Sequence, residues 1–476
     1  MLAPRFLGGL RGLLGIVGRF GLVLALTAAV LMLPAPPGLG VAGQRGLAAF
    51  VFTGAILALE PVALPIAALM VPLALVALQV ADTPQAFETY SRPVVFLILG
   101  SLFLAEALRK HGLTRRLALA TLVASRGRVH RLLFGLMALS AGLSMWIENT
   151  ATAAMLVPVA ITIAKEVADR ERARRLLVLL VLGIAYAASL GGMATIMGSS
   201  SNAVASSYLA QVRVWTFLDW MAYGLPALVL LFPLTWWLLL RLLPPAVVEL
   251  DIAPVRSQLA EMGATSRTEK EILGVLALSA LLWIGGPLLE RALGLPPTLL
   301  SAAMVAVMAV SYLAVRQILD WNDLQDVSWG IFLIIGAGLA LGEALGRSGA
   351  TEWLAQLIGP LVSGAPLALA LFVLVVVSAL LTNLLNNTTI AAVFVPILIR
   401  LATDDPGRGV LVLVLPVALA TTFGYSLPSA SGRMALIAAT GIVRRGEMFR
   451  YGLIVTAASS TALALFFYLL TLVGWI

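Results

Sequence analysis

Residue types on which proteins build reactive centres are scarce or absent in this sequence. Its 476 residues include no cysteine and only two histidines. The absence of cysteine excludes disulfides, thiolate metal sites and cysteine nucleophiles. Both histidines, His111 and His130, lie in basic segments, which disfavours a histidine-ligated metal centre. Neither HExxH-like spacing nor a nucleophile with its base occurs in an apolar segment, so the sequence argues against an enzyme.

Charge is also scarce, and apolar residues take its place. Charged residues make up 11% of the chain, against about a quarter in soluble domains, and the mean hydropathy is +1.02. Many apolar runs reach roughly 17–20 residues, the length that crosses a hydrocarbon core of ~30 Å. The net charge of +8 comes from Lys and Arg in short loops between these runs, a pattern of cytoplasmic loops and not of a nucleic-acid-binding patch. The sequence therefore predicts an all-α polytopic protein of the lipid bilayer.

The distribution of Lys and Arg predicts about eleven transmembrane helices and two re-entrant hairpins. With basic loops assigned to the cytoplasm, the N-terminus lies inside and the C-terminus outside. The apolar segment 132–164 lies between two basic loops, so it must return to the side from which it starts, and segment 366–399 is its counterpart from outside. Spans 176–209 and 410–443 are too long for single helices. Glycine and serine runs interrupt both, which predicts two broken helices with breaks at Gly191-Gly192, 198–202 and 426–433.

A polar motif occurs twice, at matched places in the two halves of the chain. The first copy follows Ser144 and reads Glu148-Asn149-Thr150, and the second follows Thr382 and reads Asn386-Asn387-Thr388. A single shift of 238 positions aligns the two copies. Because the two hairpins are expected to open toward opposite sides, the halves form an inverted-topology repeat. We expect a first repeat over 1–244, a cytoplasmic linker over 245–271 and a second repeat over 272–476.

The polar pieces of both repeats are expected to converge on one binding site. Each hairpin tip, with its neighbouring broken helix, offers side-chain and carbonyl oxygens that suit a small cation. The N-termini of half-helices carry partial positive charge and suit an anion. This chemistry favours a secondary transporter that moves an anion together with small cations. The alternatives are a passive channel, a sodium/proton antiporter, and asparagines that only bond neighbouring helices.

The sequence resembles the divalent anion/sodium symporter family, which carries di- and tricarboxylates or sulfate. The likeness covers nearly the whole chain and includes Glu60-Pro61 and the segments 104–113, 146–152 and 329–349. Its most specific element is the paired Ser-Asn-Thr hairpin motif, present here in altered form. The resemblance implies a sodium-coupled carrier of a small anion with no organic cofactor. It further implies a homodimer in a bacterial-type inner membrane that works by an elevator-like motion.

The resemblance also implies which residues bind the transported ions. One sodium site would contain Ser144, Asn149 and the Gly198 carbonyl, and the other would contain Thr382, Asn387 and Ser429. Glu148 and Asn386 stand where the family has serine, so they too are expected near the cations. The substrate-contacting residues implied by the resemblance are Asn149, Thr150, Ser200, Asn387, Thr388 and Ser431, and Arg433 is a further candidate to hold the anion.

Glu148 and Arg433 depart from the family pattern with opposite charges. A charge deep in a membrane costs ~2.5–3.5 kcal/mol on insertion scales, so each side chain needs a partner. Either the two pair directly, or Glu148 binds the coupling ion while Arg433 holds the anion. If the coupling ion is a proton, Glu148 is the candidate to carry it. If Arg433 serves no site, its side chain is expected to reach toward the inner surface.

Overall fold

A computed structural model describes residues 3–325, 327–404 and 408–476, with side chains from residue 15 onward except at 254 and 361. The predicted repeats 1–244 and 272–476 include a few positions outside these ranges, namely 1, 2, 326 and 405–407. The described residues are mostly helical, and the single β-bridge among them joins Arg128 to Glu249. The predicted all-α class is confirmed.

The first half of the chain forms eleven helices within the described residues. Pro93 occupies the first position of one of them, where the missing N–H of proline is not needed. In chain order the helices are α1 (Ala3–Met32), α2 (Val41–Leu59), α3 (Leu64–Ala77), α4 (Thr83–Glu88), α5 (Pro93–Lys110), α6 (Leu113–Ala124), α7 (Val129–Ser144), α8 (Asn149–Lys165), α9 (Arg170–Met193), α10 (Ser200–Val212) and α11 (Phe217–Leu242).

A short helix in the linker and ten further helices follow in the described part of the second half. A 3₁₀ turn, Pro428–Ala430, precedes the penultimate helix. In chain order these helices are α12 (Ala253–Glu261), α13 (Arg267–Leu293), α14 (Ala302–Val315), α15 (Trp321–Gln325), α16 (Gly330–Arg347), α17 (Ala350–Ser363), α18 (Leu367–Leu384), α19 (Asn387–Asp404), α20 (Val410–Ala420), α21 (Gly432–Ala439) and α22 (Arg445–Leu472).

The membrane-spanning character of the fold is evident from helix length and composition. In the part of the chain that the structure describes, nine helices are long and apolar enough to cross a membrane, or ten if the bent pair Thr83–Ser91 and Pro93–Lys110 is one span. Each predicted span overlaps at least one helix, the predicted spans being about 20–33, 46–59, 62–80, 92–108, 176–209, 222–243, 272–290, 297–316, 328–345, 410–443 and 451–474. Two of those spans are short, since α3 and α14 have 14 residues each. A helix of that length covers only about 21 Å at 1.5 Å per residue.

Both predicted hairpins are pairs of helices joined by a short polar tip. The first consists of α7 and α8, with 16 and 17 residues, and its tip is 145–148. At 1.5 Å per residue these arms are about 24–26 Å long, less than the ~30 Å of a hydrocarbon core. The second consists of α18 and α19, with Leu385 and Asn386 between them. The polar motifs therefore lie where the chain turns back.

The breaks in the long spans differ in position from those predicted. Helix α9 continues through Gly191-Gly192, and the chain leaves the helix only at 194–199. A Cβ at Gly191 would overlap the backbone of Ala141 in α7, so this glycine provides close helix packing, not a break. The second break, in contrast, begins earlier than predicted, because α20 ends at Ala420 and α21 starts at Gly432.

The two halves exchange helices around the hairpins. Each hairpin packs against the first arm of the broken helix from its own half, so α7 and α8 contact α9, and α18 and α19 contact α20. The second arms cross over, since α10 packs against α19 and α21 packs against α8. This exchange brings both hairpin tips and both breaks to one place near the centre of the fold.

Several helices occupy segments for which no helix was predicted, and α6 and α17 are the two longest of them. The basic stretch 109–131 contains α6, and α17 occupies the equivalent place in the second half. Gly112 and Gly349 precede them with φ of +68° and +79°, a conformation in which a side chain is strained. The linker 245–271 is also ordered: it contains α12, and α13 already begins at Arg267.

Candidate functional site

A polar cavity of about 190 Å³ lies where the tips and breaks meet. Its other wall comes from α3 and the start of α16, including Pro65 and Ile331. The polar side of the wall is formed by residues of both halves: Glu148, Thr150, Ser199, Ser200, Asn386, Asn387, Thr388, Ser431, Gly432 and Arg433.

Behind this wall, the first hairpin tip is fastened to the first break by an asparagine. Asn149 Nδ2 lies 2.8 Å from the carbonyl oxygens of Ala188 and Gly198 and 2.6 Å from Ser144 Oγ. Three oxygens therefore surround the nitrogen of this amide. Ser144 and Asn149 are both buried. Of the four predicted residues of this cluster, Glu148 alone reaches the cavity wall, and the others line its rear.

Glycines allow the tip and the break to approach so closely. A Cβ at Gly192 would overlap the side-chain amide of Asn149, and a Cβ at Gly198 would overlap the backbone of Ser144. Thr195, in the break, donates to the Met145 carbonyl and accepts from the Gly198 N–H at 3.2 Å. The unwound segment is thus held by side chains from both the hairpin and the break itself.

The second hairpin repeats this arrangement with threonine in place of serine. Thr382 Oγ1 lies 2.6 Å from Asn387 Oδ1 and 2.8 Å from the carbonyl oxygen of Thr421, at the start of the second break. Asn383 adds a contact that the first half lacks: its Oδ1 accepts from the N–H groups of Tyr425 and Ser426 at 3.1 and 2.7 Å. The unwound chain is therefore anchored to the hairpin here as well.

The residues in place of the family's serines, Glu148 and Asn386, cap the second arms of the hairpins. Glu148 Oε2 accepts from the Thr150 N–H at 2.7 Å, and Asn386 Oδ1 accepts from the Thr388 N–H at 2.9 Å. Both side chains satisfy an N–H group that has no partner within its own helix. Glu148 as a whole is only 8% exposed. The altered motif therefore retains a capping function in each half.

Contacts across the two halves close the cavity. Ser200 and Thr388 join their hydroxyl groups at 2.6 Å, linking the N-termini of α10 and α19. At the matched place, a Cβ on Gly432 would lie 2.8 Å from Thr150 Oγ1. Four helices, α8, α10, α19 and α21, therefore have their N-termini at the cavity.

Arg433 is the largest charged group of the wall and is 1% exposed, so its side chain does not reach toward a membrane surface. Its Nη2 donates to the carbonyl oxygens of Thr422 and Gly424 at 2.9 and 3.1 Å, while its Nε is buried without a partner. Among the described residues, no ion pair within 4 Å joins Arg433 to Glu148. The direct pair, one of the two expected arrangements, is therefore absent.

The structure differs from the residues predicted for the site in two respects. Ser429 lies in the 3₁₀ turn and is not part of the cavity wall, although it was expected at a cation site. Asn383 and Thr195 were not predicted to hold the breaks. Asn383 lies within the second motif, but the matched residue of the first half is Met145, so the repeat gave no signal for it.

A second cavity of about 240 Å³ adjoins the first and shares Thr150, Ser328 and Ile331 with it. It lies between α5, α8 and the start of α16, and it extends to Glu106 and Arg109 at the basic end of α5. Arg109 Nε donates to Glu106 Oε2 at 2.7 Å. The polar site therefore continues along a path toward the loops that the charge pattern places in the cytoplasm.

Solved structures with the same fold are membrane transporters. The chain resembles the Alcanivorax borkumensis YdaH transporter with a TM-score of 0.55 and 16% identity, over 83% of this chain and 88% of that one. It resembles Neisseria gonorrhoeae MtrF, described as one of a class of antimetabolite efflux pumps, with a TM-score of 0.53 and 14% identity, over 95% and 93% of the two chains. At these identities the likeness concerns the fold alone.

Relatives found by sequence have a higher identity to this chain than these two structures have. An uncharacterized transporter of Haemophilus influenzae is 32% identical over 427 residues, 88% of this chain and 90% of that protein. The sodium-dependent dicarboxylate transporter SdcS of Staphylococcus saprophyticus is 28% identical over 438 residues, 86% and 82% of the two chains. The family profile described as the sodium:sulfate symporter transmembrane region matches residues 17–475. The protein is an integral membrane transporter, and the chain belongs to the sodium:sulfate symporter family.

Proposed function

We propose that the protein is a secondary transporter that moves a small divalent anion together with sodium. The anion is either sulfate or a di- or tricarboxylate, for example succinate. The observation that carries this proposal is the meeting of four helix N-termini and a buried arginine at one small cavity. The family membership and the sodium-dependent dicarboxylate relative support the same chemistry.

The electrostatics of the cavity favour a doubly charged anion. Each helix N-terminus carries roughly half a positive charge, and its free N–H groups can donate to oxyanions. Asn149, Thr150, Ser200, Asn387, Thr388 and Ser431 add amide and hydroxyl groups in or directly behind the wall. Ser431 Oγ is buried without a partner, as is Arg433 Nε. These two donors would be satisfied by a bound carboxylate or sulfate oxygen.

The oxygen clusters behind the wall are the proposed cation ligands. Sodium is a hard cation, and such ions bind oxygen ligands. At the first hairpin, Ser144 Oγ and the carbonyls of Ala188 and Gly198 converge beside Asn149, with Glu148 in front of them. At the second hairpin the corresponding oxygens belong to Thr382, Asn387 and Thr421.

The proposed transport step is an elevator-like movement. The moving body would contain the hairpins and broken helices, α7 to α10 and α18 to α21, and the frame would contain α1 to α5 and α13 to α16. Both cavities lie along the boundary between these groups, which supports the division. The proposal includes the repeats 1–244 and 272–476 with linker 245–271, a homodimer, a bacterial-type inner membrane, a cytoplasmic N-terminus and an outer C-terminus.

Uptake of labelled succinate and sulfate into proteoliposomes tests the proposal, with sodium and proton gradients imposed separately. We expect a sodium gradient to drive uptake of at least one of the two anions, with empty liposomes as the control. If neither anion moves under any gradient, the proposal is wrong.

A second function is favoured by one observation, the buried carboxylate of Glu148 beside the cavity. If Glu148 carries a proton, the protein is a proton-coupled anion transporter or a sodium/proton antiporter. In the same assay, anion uptake driven by a proton gradient alone would indicate the first, and exchange of sodium for protons without anion movement would indicate the second.

A further inference from the structure

The two halves of the site are closely matched, and two charged residues break the match. In the hairpins a shift of 238 positions pairs Glu148 with Asn386. In and around the breaks a shift of 232 pairs Gly192 with Gly424 and Ser201 with Arg433. The second shift also pairs the N-caps of α10 and α21, Ser199 and Ser431, both with extended backbone. The first half thus has an extra negative charge and the second an extra positive charge.

The carbonyl groups in and next to the two breaks have different partners. In the first half a neutral amide serves them, because Asn202 Nδ2 donates to the carbonyls of Gly192 and Thr195, each at 2.8 Å. In the second half a guanidinium serves them, because Arg433 Nη2 donates to Gly424 and Thr422. Gly192 and Gly424 are matched residues, so the same carbonyl faces an amide in one half and a fixed cation in the other.

This fixed cation binds the residues that adjoin the second oxygen cluster. A Cβ on Gly424 would lie 3.2 Å from Asn387 Oδ1, so the carbonyl-bearing residue that Arg433 binds adjoins the predicted sodium ligand. Arg433 is almost completely buried, which leaves little water to screen its charge. A mobile cation at the second hairpin would therefore be repelled by a like charge. At the first hairpin the carboxylate of Glu148 has the opposite effect and attracts a cation.

We propose that the transporter takes its coupling cation at the first hairpin alone, and that Arg433 permanently replaces a cation at the second. The inference rests on the proposed function, since it concerns the number of sodium ions moved with the anion. Fixed charges travel out and back with the protein and cancel over a full cycle. One sodium ion moving with a dianion therefore carries one net negative charge inward per cycle.

This prediction is tested by sodium titration and voltage dependence of succinate uptake in proteoliposomes. For the wild type we expect a sodium Hill coefficient of about one, and faster uptake when valinomycin and potassium set the interior positive. Arg433→Ser places the residue of the matched position, Ser201, in the second half. In this variant we expect a Hill coefficient of about two and uptake that no longer responds to voltage. Arg433→Lys retains the charge and should retain the wild-type sodium response at whatever rate it transports.

The outcomes separate the inference from the function on which it rests. If the wild type takes up no anion with sodium, the proposed function is wrong. If it does, but shows a Hill coefficient near two or uptake insensitive to voltage, the inference is overturned. The same holds if Arg433→Ser transports with an unchanged Hill coefficient and voltage response.

A second pair of variants decides the question if Arg433→Ser does not transport. Ser144→Ala and Thr382→Ala remove matched hydroxyls from the two oxygen clusters. With a single cation site, the sodium concentration for half-maximal uptake should rise several-fold for Ser144→Ala and stay at the wild-type value for Thr382→Ala. Equal shifts in both variants would show two cation sites and overturn the inference.

Discussion

At the scale of single residues, the site depends on close contacts that admit no additional atoms. Gly192 faces the side-chain amide of Asn149, and the carbonyl of Gly192 accepts from Asn202 at 2.8 Å. The presence of this glycine inside α9 is explained by the hairpin tip that packs on it.

Gly192→Ala should destabilise the protein by about 1–3 kcal/mol, the usual cost of overpacking a closely packed site. Because the new methyl group would displace Asn149, sodium-dependent uptake should fall by more than the loss of folded protein explains. Gly54→Ala in α2 is the matched control, since nothing lies within 4 Å of the added Cβ, and it should be neutral or slightly stabilising. Thermal unfolding in detergent and uptake assays measure both effects. Equal stability of the two variants would contradict the packing argument.

Glu148 combines a helix cap with a charge, and the two contributions can be separated. Glu148→Gln retains an oxygen that can accept from the Thr150 N–H, as Asn386 does for Thr388 in the second half. Folding should therefore be preserved. Removal of the negative charge should weaken sodium binding about tenfold, since 1.4 kcal/mol of lost attraction corresponds to that factor. Sodium titration of uptake measures it.

Glu148→Ala is the comparison, because it removes the cap as well and should cost a further 0.5–2 kcal/mol, typically about 1 kcal/mol, of stability. If Glu148→Gln leaves the sodium and pH dependence of uptake unchanged, the residue is only a cap. The proposed attraction of a cation by its carboxylate would then be wrong.

At the scale of helices, the sequence predicted the hairpins, in which polar groups interrupt apolar runs. It did not predict α6, because the basic residues around that helix are typical of a loop. The hairpin arms begin and end within three residues of the expected segment 132–164, because the tip and the flanking basic loops fix the limits. Helix α6 was missed because the Arg and Lys residues around it indicated a loop. Its buried face, which includes Leu119 and Leu122, packs against α7 and α8, and contacts of that kind have no signature in charge counts.

The linker is fixed to α6 by one buried ion pair. Arg116 Nε lies 2.9 Å from Glu269 Oε1, and the same guanidinium donates to the carbonyls of Met262 and Gly263. The Glu269 side chain is 6% exposed. Arg116→Ala leaves this carboxylate with the Ser266 N–H as its remaining donor, and the loss of the guanidinium should cost about 1–3 kcal/mol.

An exposed ion pair of the same composition provides the control for this prediction. Arg175 and Glu171 are more than half exposed, so Arg175→Ala should change stability by about 0–1 kcal/mol. The free energies of unfolding of both variants in detergent test the difference. If Arg116→Ala lowers the free energy of unfolding no more than Arg175→Ala does, the linker contact does not hold the halves together.

At the scale of the whole molecule, the duplicated motif predicted that two hairpins and two breaks share one site. It did not predict which atoms meet. The cross-half contact of Ser200 with Thr388 depends on the exchange of α10 and α21 between the halves, and no local pattern in the sequence encodes such an exchange. Residues that depart from the repeat, such as Asn383 where the first half has Met145, likewise cannot be identified by a comparison of the halves.

The proposed motion predicts that α8 must separate from α5. Ala154 of α8 and Ala105 of α5 line the same cavity, and the chain has no native cysteine. In the double variant Ala105→Cys and Ala154→Cys, a bifunctional thiol reagent should abolish most uptake, and cleavage of the cross-link should restore it. A pair on α5 alone, Leu102→Cys and Ala105→Cys, controls for reagent effects and should keep its activity. Full activity of the cross-linked first pair would contradict the elevator-like motion.

The exchange of second arms between the halves also bears on how such a protein can arise and assemble. Neither half encloses the cavity alone, because α8 needs α21 and α19 needs α10. A free half-chain would have to meet an inverted second copy, and its assembly would depend on concentration. The linker 245–271 makes this encounter intramolecular, so it no longer depends on concentration. Covalent fusion thus turns a bimolecular association into a step of folding, while allowing each half to acquire its own charge.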